Sequence, residues 1–202
     1  MSKSATAAPS DSWALPNTMT SAGDGHWELT GTEEGPALRL FNARFDTFVH
    51  PVNGVPLRAT VLGTPPWCNV VAITPDEKIV LVRQFRFGVR EMTVEIPGGT
   101  VDPGEDHATA VKRELQEETG YTSNNWSYLG ASQQNPAFHD ELCHMWLAID
   151  AYKTHEVRPD GTEHIQVELM TPEAVVRAVR DGSFMHAHAI VALSRVYDLR
   201  IG

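Results

Sequence analysis

Three acids crowd the second half of the stretch that runs from Gly99 to Tyr121: Glu114, Glu117 and Glu118. On a helix Glu114 and Glu118 lie one turn apart, so both carboxylates leave from one face, with Glu117 on its flank. Like charges at that spacing repel by roughly a few tenths of a kcal/mol per pair. One reading of the pattern is a solvated acidic face. The other is a hard divalent cation such as Mg²⁺, which takes oxygen ligands and is held by one or two carboxylates together with substrate phosphates. Arg113, always charged, neighbours the acids and is suited to holding a carboxylate in place. Glu105 falls in the first turn, where the helix dipole favours an acid; structural anchoring and metal chemistry are equally open to it.

The surrounding residues supply the helix. Asp102-Pro103-Gly104 makes a turn, Asp106 is the N-cap and Gly120 the stop. Ala108, Val111 and Leu115 fall on one side at helical spacing and pack inward. Upstream, residues 79–82 (Ile-Val-Leu-Val) form a continuous apolar run suited to a strand buried on both faces. That strand delivers Arg83-Gln84-Phe85-Arg86, with Arg83 and Phe85 pointing one way and Gln84 and Arg86 the other. Near an anion site, either guanidinium can fork two hydrogen bonds onto a phosphate. Pro97-Gly98-Gly99 ends the next strand, and its glycines let backbone approach a ligand closely.

Taken together, Gly-x5-Glu-x7-Arg-Glu-Leu-x-Glu-Glu-x-Gly-Tyr resembles the Nudix box, the signature of hydrolases acting on nucleoside diphosphates linked to another group. Only the last aliphatic position departs, being Tyr121. The resemblance implies that Glu114, Glu118 and the carbonyl of Gly98 are metal ligands, and that Glu117 binds a further metal or acts as a base. The cofactor it implies is Mg²⁺, two or three ions, with Mn²⁺ as substitute. Gln84-Phe85-Arg86 resembles a tripeptide of the ADP-ribose pyrophosphatase branch, which assigns substrate binding to Arg86 first and Arg83 second. Pro136, fifteen positions past Tyr121, marks the same branch, although Ala137 stands where the family has glycine. Glu141 matches that branch's catalytic base, with Asp140 next to it. The reaction implied is hydrolysis of ADP-ribose to AMP and ribose 5-phosphate. GDP-mannose or another nucleoside diphosphate sugar is the alternative substrate, and a nucleotide-sensing module is the non-enzymatic alternative.

The rest of the chain must position these groups. Its 202 residues suit one main domain with a smaller appended piece. A formal net charge of −10 argues against nonspecific binding to nucleic acid or anionic membrane, so an anionic substrate needs local cations. Two cysteines, Cys68 and Cys143, do not make a disulfide framework and read as small buried hydrophobes. Residues 1–25, rich in Ser, Ala, Thr, Pro and Gly, read as a disordered arm and a poor secretory signal. No run is long enough to span a bilayer, which makes the cytoplasm the expected location.

Strand-like pieces at residues 27–30, 37–49 and 57–62, with Asn53-Gly54 as a hairpin signal, form a small antiparallel sheet over residues 26–62. Too small to stand alone, it must dock on its own body or on a partner. Strands are expected at 92–96, 126–132, 142–152 and 165–170. A helix starts at Thr171-Pro172 and ends at Gly182, and Ser183 caps a last one. His186 and His188, two apart on that helix, should diverge, so a zinc site is not expected. Trp27, Phe41, Phe48 and Trp67 are candidates for stacking on a base, core burial being preferred for each. The pattern is α/β (α+β), which the resemblance sharpens to a Nudix α/β/α sandwich with a mixed sheet over residues 63–202, plus the N-terminal sheet. It also implies a homodimer that exchanges those sheets.

Overall fold

The computed structural model describes residues 25–158 and 164–200. The arm expected over residues 1–25 lies outside them apart from Gly25. Three antiparallel strands open the described chain: β1 (Glu28–Ala37), β2 (Asn42–Val49) and β3 (Pro56–Gly63), in that order across the sheet. The single piece expected over 37–49 is broken after Ala37, where the Leu38 N–H donates to the Phe41 carbonyl (2.7 Å) and turns the chain. The β2–β3 hairpin closes through Asn53-Gly54 as expected, with Gly54 at φ 68°.

The main body follows in the order β4 (Trp67–Ile73), β5 (Ile79–Arg86), β6 (Glu91–Glu95), β7 (Gly98–Thr100), α1 (His107–Thr119), β8 (Tyr121–Thr122), β9 (Asn125–Gln133), β10 (Leu142–Ile149), β11 (Tyr152–Lys153), β12 (Gln166–Met170), α2 (Pro172–Arg180) and α3 (Ala187–Ser194). Seven strands make one sheet in the order β12-β5-β4-β10-β9, with β6 paired to β5 and β7 to β4. The β4–β10 pairing is parallel and the others antiparallel, so the sheet is mixed. Residues Ile79 to Val82 are fully buried because both faces are covered. Val80 meets α1 residues Ala110, Val111 and Leu115. On the other face Ile79 and Leu81 meet Val175 of α2 and Ala189, Ala192 and Leu193 of α3. This is the three-layer α+β sandwich expected.

Local chemistry fixes the central helix. Asp106 accepts hydrogen bonds from the N–H groups of Ala108 and Thr109, both at 2.9 Å. Gly120 ends α1 at φ 74°, where a Cβ would stand 2.1 Å from the His155 carbonyl oxygen. Thr171 caps α2, with Pro172 at its first position. The last helix starts later than expected. Ser183 is not its cap: the Ser183 hydroxyl donates to Asp181 (2.6 Å), and Phe184 is drawn into the core with its N–H on the Ala178 carbonyl (2.9 Å). With this segment pinned to α2, α3 begins only after His186, whose backbone is extended.

The N-terminal sheet docks on its own body. The Leu62 N–H donates to the Phe138 carbonyl (2.7 Å), Arg44 pairs with Asp140, and the Phe41 ring stacks on His139 with centroids 5.9 Å apart. All three contacts fall on the loop that carries Glu141. Among the described residues no helix is long and apolar enough to cross a membrane.

Candidate active site

The site is built where β7 meets α1. Gly98 lies so close to β4 that a Cβ would stand 2.3 Å from the Cys68 carbonyl oxygen, and a Cβ on Gly99 would stand 2.5 Å from Glu114 Cδ. The glycines thus seat strand backbone directly against helix carboxylates. Glu118, buried, accepts the Gly98 N–H at 2.9 Å. The one-turn spacing of Glu114 and Glu118 therefore delivers both carboxylates to the Gly98-Gly99 backbone.

Arg113 organises the acids around it. Its Nη1 donates to Glu114 (2.8 Å) and Glu117 (3.1 Å), its Nη2 to the Thr100 carbonyl (3.1 Å) and Glu105 (3.0 Å), and its Nε to Glu105 (3.2 Å). These carboxylates hold the guanidinium's pKa above its ordinary value, the hydrogen bonds from Glu105 leading. In return Arg113 keeps Glu105 below the usual carboxylate range. Glu105 is thus placed as an anchor for Arg113. Glu117, about half exposed, shares Arg113 Nη1 with Glu114. Among the described residues no three His, Cys, Asp or Glu side chains are grouped closely enough to hold a metal. The donors at the glycines are nonetheless all oxygens, two carboxylates and strand carbonyls, the set a hard cation takes.

Glu141 stands just before β10, its side chain buried to 2% exposure. Its Oε1 lies 3.2 Å from His139 Nδ1, outside hydrogen-bond alignment, and neither carboxylate oxygen has a hydrogen-bond partner among the described residues. A buried carboxylate is costly without a donor, and among the described residues Glu141 has none in hydrogen-bond alignment. Asp140, in contrast, is engaged by Arg44 at the surface.

Arg86 crosses from β5 to β6 and forks onto Glu95, Nε to Oε1 and Nη2 to Oε2, both at 2.7 Å. Burial pushes the Glu95 carboxyl up, but the hydrogen bonds from Arg86 and the charges of His186 and Arg86 outweigh it and leave the pKa below the usual range. Arg86 lines a cavity of about 420 Å³ together with Gly98, Asn69, Phe41, Trp67 and His188. Arg83 is not brought there: it pairs with Glu168 of β12 and lines a neighbouring, larger cavity.

Two sequence expectations change at this cavity. Phe41 and Trp67 are not core residues but form part of its wall. His186 and His188 do not diverge, because His186 lies outside the helix: the rings pack edge-on with centroids 6.0 Å apart, and both face the same cavity. Burial lowers the pKa of both imidazoles. Asn69 Oδ1 and His186 Nδ1 are buried there without hydrogen-bond partners among the described residues. A polar residue inside a strand, as Asn69 is in β4, is the one sequence signal that could have drawn attention to this wall. Cys68 and Cys143 are buried and free, and burial pushes both thiols up to about 12.

The family model described as NUDIX domain matches residues 65–190. An ADP-ribose pyrophosphatase from Bacillus subtilis (strain 168) is 32% identical over 160 residues, which cover 77% of this chain and 86% of that protein. A methanol dehydrogenase activator from Bacillus methanolicus is 29% identical over 163 residues, covering 80% and 88%. The crystal structure of an ADP compounds hydrolase superposes with a TM-score of 0.73 at 23% identity, over 84% of this chain and 91% of that one, and shares its fold.

Proposed function

The chain belongs to the Nudix family and is a Nudix pyrophosphohydrolase, and we propose that it cleaves the diphosphate of ADP-ribose to give AMP and ribose 5-phosphate in an Mg²⁺-dependent reaction. One observation carries the reading: Gly98 and Gly99 bring strand backbone onto the carboxylates of Glu114 and Glu118, while Arg86 lines the cavity that Gly98 shares. Similarity to the Bacillus subtilis enzyme supports the choice of ADP-ribose.

Glu114, Glu118 and the Gly98 carbonyl would hold the cation. When bound it would supply positive charge against the diphosphate and a lowered pKa for the attacking water. The protein's own groups do the rest. Arg113 fixes the Glu114 carboxylate and, through Glu105 and Thr100, ties it to the start of the box. Arg86, oriented by Glu95, meets phosphate oxygens and stabilises the charge that builds on them. Glu141 accepts the proton of the water; lacking an aligned donor among the described residues, it suits a base better than the Arg44-bound Asp140, and a positioned base is worth about 10²–10⁴-fold. Glu117 keeps a supporting role through Arg113.

The N-terminal sheet leaves Leu29, Leu38, Leu40 and Leu57 more than half exposed. Exposed leucines at both ends of that sheet favour a second copy of the chain as cover, so the active form is proposed to be a homodimer, tested by sedimentation equilibrium.

The substrate test is phosphate release, coupled to a phosphatase, from ADP-ribose, GDP-mannose, NADH and deoxynucleoside triphosphates, with Mg²⁺ or with EDTA. ADP-ribose is expected to give the highest kcat/KM and EDTA to abolish it. GDP-mannose ahead of ADP-ribose would overturn the substrate assignment. Binding without turnover across the panel would overturn hydrolysis itself.

A further inference from the structure

The proposed substrate arginine pairs with a buried carboxylate, and the fold brings that carboxylate a polar neighbour that no local pattern announces. Antiparallel pairing sets Val82 opposite Glu95 and Gln84 opposite Thr93, so Arg86, Thr93 and Glu95 share one face of the β5–β6 hairpin. Glu95 is 1% exposed. Its Oε1 receives Arg86 Nε (2.7 Å) and the Thr93 hydroxyl (2.6 Å). Its Oε2 receives Arg86 Nη2 (2.7 Å) and lies 3.2 Å from His186 Nε2. Three hydrogen bonds thus hold Glu95, and its fourth polar neighbour, His186 Nε2, comes as an ion-pair contact from the residue just before α3, 91 positions away in the chain.

We propose that His186 is a positioning residue for substrate binding: its Nε2–H locks the Glu95 carboxylate plane, and through it the direction in which the Arg86 guanidinium enters the catalytic cavity. The inference rests on the reading that Arg86 binds the diphosphate. Its geometry is specific. Arg86, Glu95 and His186 all line both the 420 Å³ cavity and the neighbouring one of about 770 Å³, so this trio is the partition between them. Without the imidazole, Oε2 keeps only Arg86 Nη2 among the described residues, against two donors on Oε1. The carboxylate is then free to roll, and the fork of Arg86 rolls with it into the larger space. Burial favours the neutral ring, which carries a single N–H. Placing that hydrogen on Nε2 leaves Nδ1 bare, in accord with a buried Nδ1 that has no partner among the described residues.

The experiment compares His186→Leu, which fills the space without a donor, with His186→Gln, whose amide nitrogen can stand where Nε2 stands. In steady-state hydrolysis of ADP-ribose, His186→Leu should raise KM about tenfold with kcat within about twofold, the loss of one hydrogen bond to a charged group. His186→Gln should restore KM to within about twofold. In an Arg86→Ala background the Leu substitution should add nothing further. A second readout needs no substrate: solvent exchange of the Arg86 Nε–H, followed by ¹⁵N NMR, should speed up about tenfold in His186→Leu and not in His186→Gln. If wild-type protein turns over no nucleotide, the functional reading fails while the exchange measurement still decides the positioning role. Unchanged exchange in His186→Leu overturns the proposal, as does a Gln variant no better than Leu. His186→Ala replaces Leu should that variant not fold.

Discussion

Gly99→Ala and Gly98→Ala add the same methyl group one residue apart and should fail in opposite ways. At Gly99 the new Cβ would stand 2.5 Å from Glu114 Cδ and Oε1 and 2.7 Å from Oε2. Carbon atoms rest about 3.5 Å apart, so the carboxylate has to retreat by about 1 Å. It is the far end of a flexible side chain, and an off-rotamer shift costs only about 0.5–1.5 kcal/mol, a fall in Tm of about 1–6 °C for a domain of this size. The same retreat breaks the 2.8 Å bond to Arg113 and displaces a proposed ligand, and misplacement by about 1 Å can cost about 10²-fold in rate. At Gly98 the Cβ would meet the Cys68 carbonyl oxygen at 2.3 Å and Asn69 Cα at 2.7 Å. These are backbone atoms of a central strand, so β7 has to part from β4, at about 1–3 kcal/mol or more. Differential scanning fluorimetry and phosphate release over a Mg²⁺ titration separate the two. Gly99→Ala should stay folded, lose about 10²-fold in turnover and need more Mg²⁺; Gly98→Ala should lose about 2–12 °C in Tm. A Gly99→Ala protein with wild-type turnover and Mg²⁺ dependence would refute the placing of Glu114 at the cation. A Gly98→Ala protein as stable as wild type would refute the packing argument.

Glu141→Gln should slow turnover by about 10²–10⁴-fold while leaving Tm equal or higher, because a buried carboxylate with no aligned donor among the described residues is replaced by a neutral amide; Asp140→Asn with the larger kinetic loss would reassign the base. Because the folded pKa of Glu95 is depressed, the unfolded chain binds more protons between that value and the ordinary one near pH ~4.3. The stability this group adds is present above pH ~4.3 and is lost as pH falls through the folded value. Urea midpoints measured from pH 6 to 3 should therefore fall, less steeply in Glu95→Gln; equal slopes would contradict the assignment. With both thiols pushed up to about 12 by burial, Cys68 and Cys143 should resist a thiol-disulfide reagent at pH 8 until urea unfolds the chain, and prompt labelling of native protein would count against their placement.

What could be read from the chain alone is what depends on neighbours in sequence. Asp106 and Gly120 cap α1 through bonds that span three or four residues, so its ends were legible. The fully buried run from Ile79 to Val82 announced a strand covered on both faces. The spacing of Glu114 and Glu118 put two carboxylates on one side of a helix wherever that helix came to lie. The resemblance to the Nudix box rests on the same local signals.

Tertiary structure decided everything that depends on partners distant in sequence. Two glycines turned the Glu114–Glu118 face into a candidate site, because their missing side chains let β7 lie against it. Arg113 bridged Glu114 and Glu117 through a single nitrogen. Arg44, from a separate sheet, engaged Asp140 and not Glu141, which has no aligned donor among the described residues. Phe184, pulled into the core, delayed α3 and so placed His186 in extended backbone, where helical periodicity no longer governs its direction. Spacing along a helix or strand is set by covalent geometry and is written into the sequence. Which donor meets which acceptor across the sheet is set by packing, and that is settled only when the layers close.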